Sequence, residues 1–143
     1  MNPWSPVVFW MILIFILSTD LGSSNNTAPF LTRLLLTFFP ALTPDDISLL
    51  KWLLRKAGHI FEYTVLSRLL WRAYALQATW PRAKITAAVI ATTILYAATD
   101  EWHQTFVPTR TGTWTDVGID SIGALFGTLL ASRSQPKTHP GRK

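Results

Sequence analysis

Two stretches of this chain carry residue types that do chemistry. The first is KAGHIFEY, with Lys56, His59, Glu62 and Tyr63. The second is TDEWHQTFVPTRTGTWTDVGID, residues 99–120, with Asp100, Glu101, His103, Gln104, Arg110, Asp116 and Asp120. His59 and Glu62 are three apart, as are Asp100 and His103, so each helix could present an imidazole beside a carboxylate. Two helices supplying such pairs can hold a hard metal or zinc. The metal candidates are His59, Glu62, Asp100 and His103, and the same four are the candidate catalytic residues. Without metal, His103 could act as a general base oriented by Asp100. Arg110 carries a planar fork that matches a carboxylate or a phosphate.

The local spacing predicts how these groups face. Lys56, His59 and Tyr63 fall on one helix face with Glu62 beside them. Asp100, His103 and Gln104 share a face, and Glu101 points elsewhere. Thr113 and Asp116 have the spacing of a capping box with Asp in place of Glu. Asp120 follows one turn deeper than Asp116.

The elements around these stretches are apolar. Of 143 residues, 49% are hydrophobic and 15% charged, against roughly 25% charged in soluble domains. There is no cysteine, which excludes disulfides, thiolate metal sites and cysteine nucleophiles. The net charge of +5 comes with no basic–aromatic motif, so nucleic acid is not an expected partner; the lipid bilayer is. The expected fold is an all-α polytopic membrane protein, a four-helix transmembrane bundle. Its spans would be residues 4–19, 57–76, 84–102 and 114–131, each near the length a bilayer requires. The first lacks the basic start and the cleavage site of a signal peptide, and is read as retained. Residues 29–42 are apolar but short, and are read as an extra interfacial or re-entrant helix. Thr43, Pro44, Asp45 and Asp46 predict a helix start near 44 that could run unbroken into the second span. The transmembrane domain is expected over 1–131 and a basic, disordered cytoplasmic tail over 132–143, where His139 has no expected role. Gly123 and Gly127 mark close helix contact. Trp4, Trp10, Trp52, Trp102 and Trp114 are expected as interfacial anchors.

Charge sets the expected orientation. Arg68, Arg72, Arg82, Lys84, Arg133, Lys137, Arg142 and Lys143 fall on the side that carries both termini. Arg33, Lys51, Arg55, Lys56 and Arg110 fall on the other, with every acid of the chain. The Lys/Arg bias predicts N-in/C-in topology in the cytoplasmic (inner) membrane. Ionised groups near the bilayer centre cost about 2.5–3.5 kcal/mol, so the polar groups of three helices are expected to share one pocket at the outer end.

The pattern K-x-x-H-x-x-E-Y followed by D-E-x-H-Q-x-F-V-P-x-R-x-G-x-x-x-D-V-x-x-D-x-x-G resembles the VanZ-like family of small bacterial integral membrane proteins. The match covers most of 56–130. It implies an envelope-related protein linked to antibiotic resistance, since the founding member accompanies glycopeptide resistance and raises tolerance to teicoplanin; it implies no particular reaction. The motif falls on Lys56, His59, Glu62, Tyr63, Asp100, Glu101, His103, Gln104, Arg110, Asp116, Asp120 and Gly123. Thr109 departs from the pattern, which commonly has glycine before the arginine.

Three functions remain open. In the first, the pocket binds an anionic headgroup or cell-wall precursor, with Lys56 and Arg110 as anion contacts; the eleven polar motif residues from Lys56 to Asp120 are then the ligand-binding set. In the second, it is a membrane-embedded metal-dependent or His/Asp hydrolase. In the third, it is a structural partner in an envelope complex, with His59 and Glu62 joining helices. No nucleophile elbow, P-loop or H-E-x-x-H is present, so binding is placed ahead of catalysis. Residue types allow a divalent metal, but nothing favours it over a metal-free site.

Overall fold

The computed structural model describes residues 2–134. Among them are five α-helices and no strand. The helices are α1 (Ser5–Ser18), α2 (Ser24–Phe38), α3 (Pro44–Gln77), α4 (Arg82–Gln104) and α5 (Trp114–Ser134), with a single 3₁₀ turn, Asp20–Gly22, between α1 and α2. The all-α expectation holds. The helix begun at residue 44 does run unbroken to Gln77.

The local chemistry explains the boundaries. The Thr43 hydroxyl accepts from the Asp46 amide at 3.2 Å, and Asp46 Oδ2 accepts from the Thr43 amide at 3.0 Å. This full capping box, with Pro44 in the first turn, fixes the start of α3. The helix expected over 29–42 instead begins at Ser24, because Ser23 caps it by accepting from the Asn26 amide. It stops at Phe38 because Phe39 precedes Pro40 and takes φ −136°, outside the helical region. The last helix continues through Ser134, past the expected boundary at 131. Residues 135–143, including His139, lie outside the described residues.

At the centre of the bundle is α3. Its partner α5 lies close because two glycines open the seam. A side chain at Gly123 would meet the Ile60 carbonyl oxygen at 2.5 Å, and one at Gly127 would collide with the Thr64 carbonyl and the Ser67 hydroxyl. Tyr63, Leu66, Leu70, Val89, Ala97 and Ile14 form the centre of the apolar core. At one end, Trp4 Nε1 donates to Gln77 Oε1 at 2.5 Å, which ties the start of α1 to the end of α3. Trp10 is also packed, donating to the Glu62 carbonyl at 2.9 Å. Trp52, Trp102 and Trp114 are exposed, as interfacial anchors would be.

The four predicted spans are not confirmed. Among the described residues no single helix is long and apolar enough to cross a membrane; α1 and the segment Asp20–Phe38, bent by 68°, meet that measure only as a pair. With 14 residues, α1 is about 21 Å long at about 1.5 Å per residue, short of a hydrocarbon core of about 30 Å. The three long helices carry too many charged, Thr, Ser and Gly positions. The outward face of the bundle is nonetheless greasy: Phe9, Phe15, Phe61, Leu95, Phe126 and Leu129 are among its exposed large apolar side chains.

Candidate functional site

The polar residues meet where the C-terminal end of α4 and the N-terminal end of α5 reach α3. Lys56 on α3 is ion-paired with Asp116 on α5. One turn deeper, His59 Nδ1 lies 3.0 Å from Asp120 Oδ1. Tyr63 donates to Asp100 Oδ2 at 3.4 Å. These residues occur at intervals of three and four along α3, so one helix face delivers the Lys56, His59 and Tyr63 side chains at successive depths.

The facing of α4 differs from the expectation. Glu101 does not point away; it is 4% exposed and Asp100 5%. Asp100 reaches α3, whereas Glu101 Oε2 accepts from the Thr113 amide at 2.9 Å. The Thr113 hydroxyl accepts from the Asp116 amide at 3.2 Å. Thus one half of the expected capping box is present, but the acid that returns to Thr113 comes from α4, because Asp116 is taken by Lys56. Gln104 Nε2 bridges both α4 acids, at 3.3 Å from Asp100 Oδ2 and 3.1 Å from Glu101 Oε1. His103 turns toward α1, its ring 4.4 Å from that of Phe15. The reason is geometric: α4 is packed against α1, α3 and α5, so more than one of its stripes is buried.

The metal-ligating groups fall accordingly. Ligand atoms of His59, Glu101 and Asp120, all buried, lie within 4.8 Å of one another. Of the four residues picked out by spacing, only His59 belongs to this trio. Glu62 is not among these ligands; it lines an adjoining cleft that His59 also borders.

That cleft, about 530 Å³ in volume, lies between the α1–α2 corner and α3, and Lys51, Arg55, His59, Glu62 and Arg110 are among its lining residues. Lys51, Arg55 and His59 recur every fourth position of α3, a pattern visible in the sequence whose first two members the motif reading passed over. Arg55 is the unusual member: its Nε and Nη2 are buried and have no hydrogen-bond partner. These two atoms form one side of the guanidinium fork, the edge that grips a carboxylate or phosphate bidentately. Arg110 is anchored differently. It donates through Nε to the Thr19 carbonyl at 3.3 Å and through Nη2 to the Leu17 carbonyl. Burial pushes its guanidinium down from the ordinary value, and the nearby Arg55 charge adds to the shift. Arg110, expected as an anion contact, therefore also has a packing duty: it closes the C-terminal end of α1.

An all-helical bundle with an acid–His–Lys cluster at one end and a cationic cleft beside it is thus the class of protein on hand. A family model described as VanZ/LLP1 matches residues 4–135, and the chain belongs to that family. No curated protein and no solved structure matches it.

Proposed function

We infer that this chain is an envelope-related integral membrane protein whose cationic cleft binds the phosphate-bearing headgroup of an anionic lipid or of a lipid-linked cell-wall precursor. Family membership supports the envelope and membrane setting. So do the many exposed Phe, Leu and Ile side chains, since apolar side chains left on a surface are what a membrane or a partner would cover. The basic side of the chain would face the cytoplasm, and the cleft and polar cluster the outside.

The observation that carries the binding reading is the free fork of Arg55. A half-buried guanidinium whose bidentate edge is shielded from water and unoccupied is costly unless an anion joins it. Lys51 and Arg110 surround the same space, so the anion would meet several cations. Glu62 in the same lining sets a limit on how much negative charge the cleft accepts.

Native mass spectrometry of the detergent-purified chain, mixed with phosphatidylglycerol, phosphatidylcholine and a polyprenyl pyrophosphate, tests this reading. Preferential retention of either anionic lipid, weakened about tenfold or more in Arg55→Gln, is the expected result. The relative retention of the two identifies the source of the headgroup. Equal retention of the zwitterionic lipid, or no effect of Arg55→Gln, would overturn the reading.

A further inference from the structure

We propose that His59, Glu101 and Asp120 form a binding site for a divalent transition-metal ion of the zinc or manganese kind. This proposal does not rest on the headgroup reading.

The ligand set is of mixed chemistry. One imidazole and two carboxylates, from three different helices, bring their ligand atoms within 4.8 Å of one another. Small adjustments of these side chains would place them about 2.0–2.2 Å from a shared ion, the distances zinc takes to nitrogen and oxygen. One imidazole with two carboxylates suits zinc or manganese better than the thiolate-seeking metals.

Charge is the second argument. Asp100, Glu101 and Asp120 are all buried. Lys56 is committed to Asp116. Among the described residues, His59 is the one basic side chain hydrogen-bonded within the group, and Arg110, whose charge also acts on Asp100 and Glu101, spends its hydrogen bonds on the α1 carbonyls, so the carboxylates outnumber the cations that face them. A divalent ion supplies the missing charge. Three carboxylates sharing protons is the competing arrangement, and the test below separates the two.

The third observation is an unused ligand atom. Asp120 is 0% exposed. Its Oδ1 meets His59, but its Oδ2 has no hydrogen-bond partner. A carboxylate oxygen so placed normally finds a donor or a metal. The surroundings also hold the ligands in place, as supporting groups do at metal centres. Glu101 is fixed through both oxygens, by Gln104 Nε2 at 3.1 Å and the Thr113 amide at 2.9 Å. His59 also lines the cleft beside Arg55, which gives an ion a route from solvent. Water on a metal held here would lie beside the cleft, where an anionic ligand could join its coordination.

The test uses tag-free, full-length protein in detergent, stripped with chelator and titrated separately with Zn²⁺, Mn²⁺ and Mg²⁺ by calorimetry. The proposal expects one Zn²⁺ or Mn²⁺ per chain. Affinity should fall at least tenfold in Asp120→Asn and in Glu101→Gln, and stay within about twofold in Asp45→Asn, an exposed acid in the first turn of α3. X-ray absorption on the zinc-loaded wild type, which needs no variant to fold, should show nitrogen and oxygen neighbours only, one of them an imidazole. No stoichiometric binding by folded wild type, or a spectrum without a histidine, would overturn the proposal. So would an Asp45→Asn loss as large as that of Asp120→Asn.

Discussion

Arg110 and Thr19 are 91 residues apart, yet the Arg110 Nε–H donates to the Thr19 carbonyl at 3.3 Å. With the second bond to Leu17, the loop after α4 holds the end of α1, where helix carbonyls have no partner of their own. The same loop places Arg110 on the wall of the cationic cleft. Support and ligand contact therefore share one side chain. Arg110→Ala should lower both thermal stability and anionic-lipid retention. Arg55→Gln should lower retention while leaving stability unchanged or raised, because Arg55 has no partner to lose at Nε and Nη2. Thermal unfolding and lipid retention measured on the two variants would contradict this division if Arg55→Gln were the less stable.

A second latch lies beside the first and is sensitive to acid. Thr109 donates to Asp20 Oδ1. Hydrogen bonds from Thr109 above all, then from Asn26 and Ser23, hold the Asp20 carboxyl below its ordinary value of 3.8. A group depressed in the folded state stabilises above its unfolded value, and that contribution is lost as pH falls through the folded value. Amide hydrogen exchange over residues 17–23 should therefore quicken as pH drops below 3.8, once the intrinsic pH dependence is removed. Thr109→Val should quicken it at neutral pH and flatten the acid response. An unchanged acid response in Thr109→Val would refute the latch.

The Lys56–Asp116 pair should behave as a buried charge pair. Their side chains are 18% and 4% exposed. Removing one partner of such a pair costs about 3–5 kcal/mol, and the partial exposure of Lys56 places Lys56→Met toward the lower end. The double variant Lys56→Met/Asp116→Leu should recover most of the loss, since no charge is left uncompensated. Denaturant unfolding in detergent checks this, and additive losses in the double variant would argue against the pairing.

The α3–α5 seam should not tolerate a methyl group. At Gly127 the new carbon would meet the backbone carbonyl of Thr64, which cannot swing aside as a side chain can. Gly127→Ala should destabilise by roughly 1–3 kcal/mol, the usual cost of overpacking. Gly118 has nothing within 4 Å of the added carbon, so Gly118→Ala should stabilise by up to about 1 kcal/mol through helix propensity. Equal effects at both positions, measured by thermal unfolding, would mean that the seam is not set by Gly127.

The parts of this architecture legible in the sequence are those with local causes. Thr43, Pro44 and Asp46 announce the start of α3 because a capping box is closed within four residues. Gly123 and Gly127 announce a close contact by their one-turn spacing. The facing of α4 was not legible, because spacing fixes which residues share a stripe but not how many stripes neighbours cover. Glu101 and His103 were misplaced for that reason. The role of Arg110 depends on a helix end far away in the chain, which no local pattern encodes. Arg55 could have been found from its four-residue spacing with Lys51 and His59, but its free fork becomes visible only in three dimensions.

The central claim is that the cleft beside α3 receives a phosphate-bearing headgroup through Arg55. An experimental structure of the chain with bound phosphatidylglycerol or polyprenyl pyrophosphate tests it most directly. The account predicts phosphate oxygens about 2.7–2.9 Å from Arg55 Nε and Nη2, the length of charge-assisted hydrogen bonds, with Lys51 or Arg110 completing the contact. A structure in which Arg55 turns to Glu62 and the headgroup lies elsewhere would contradict it.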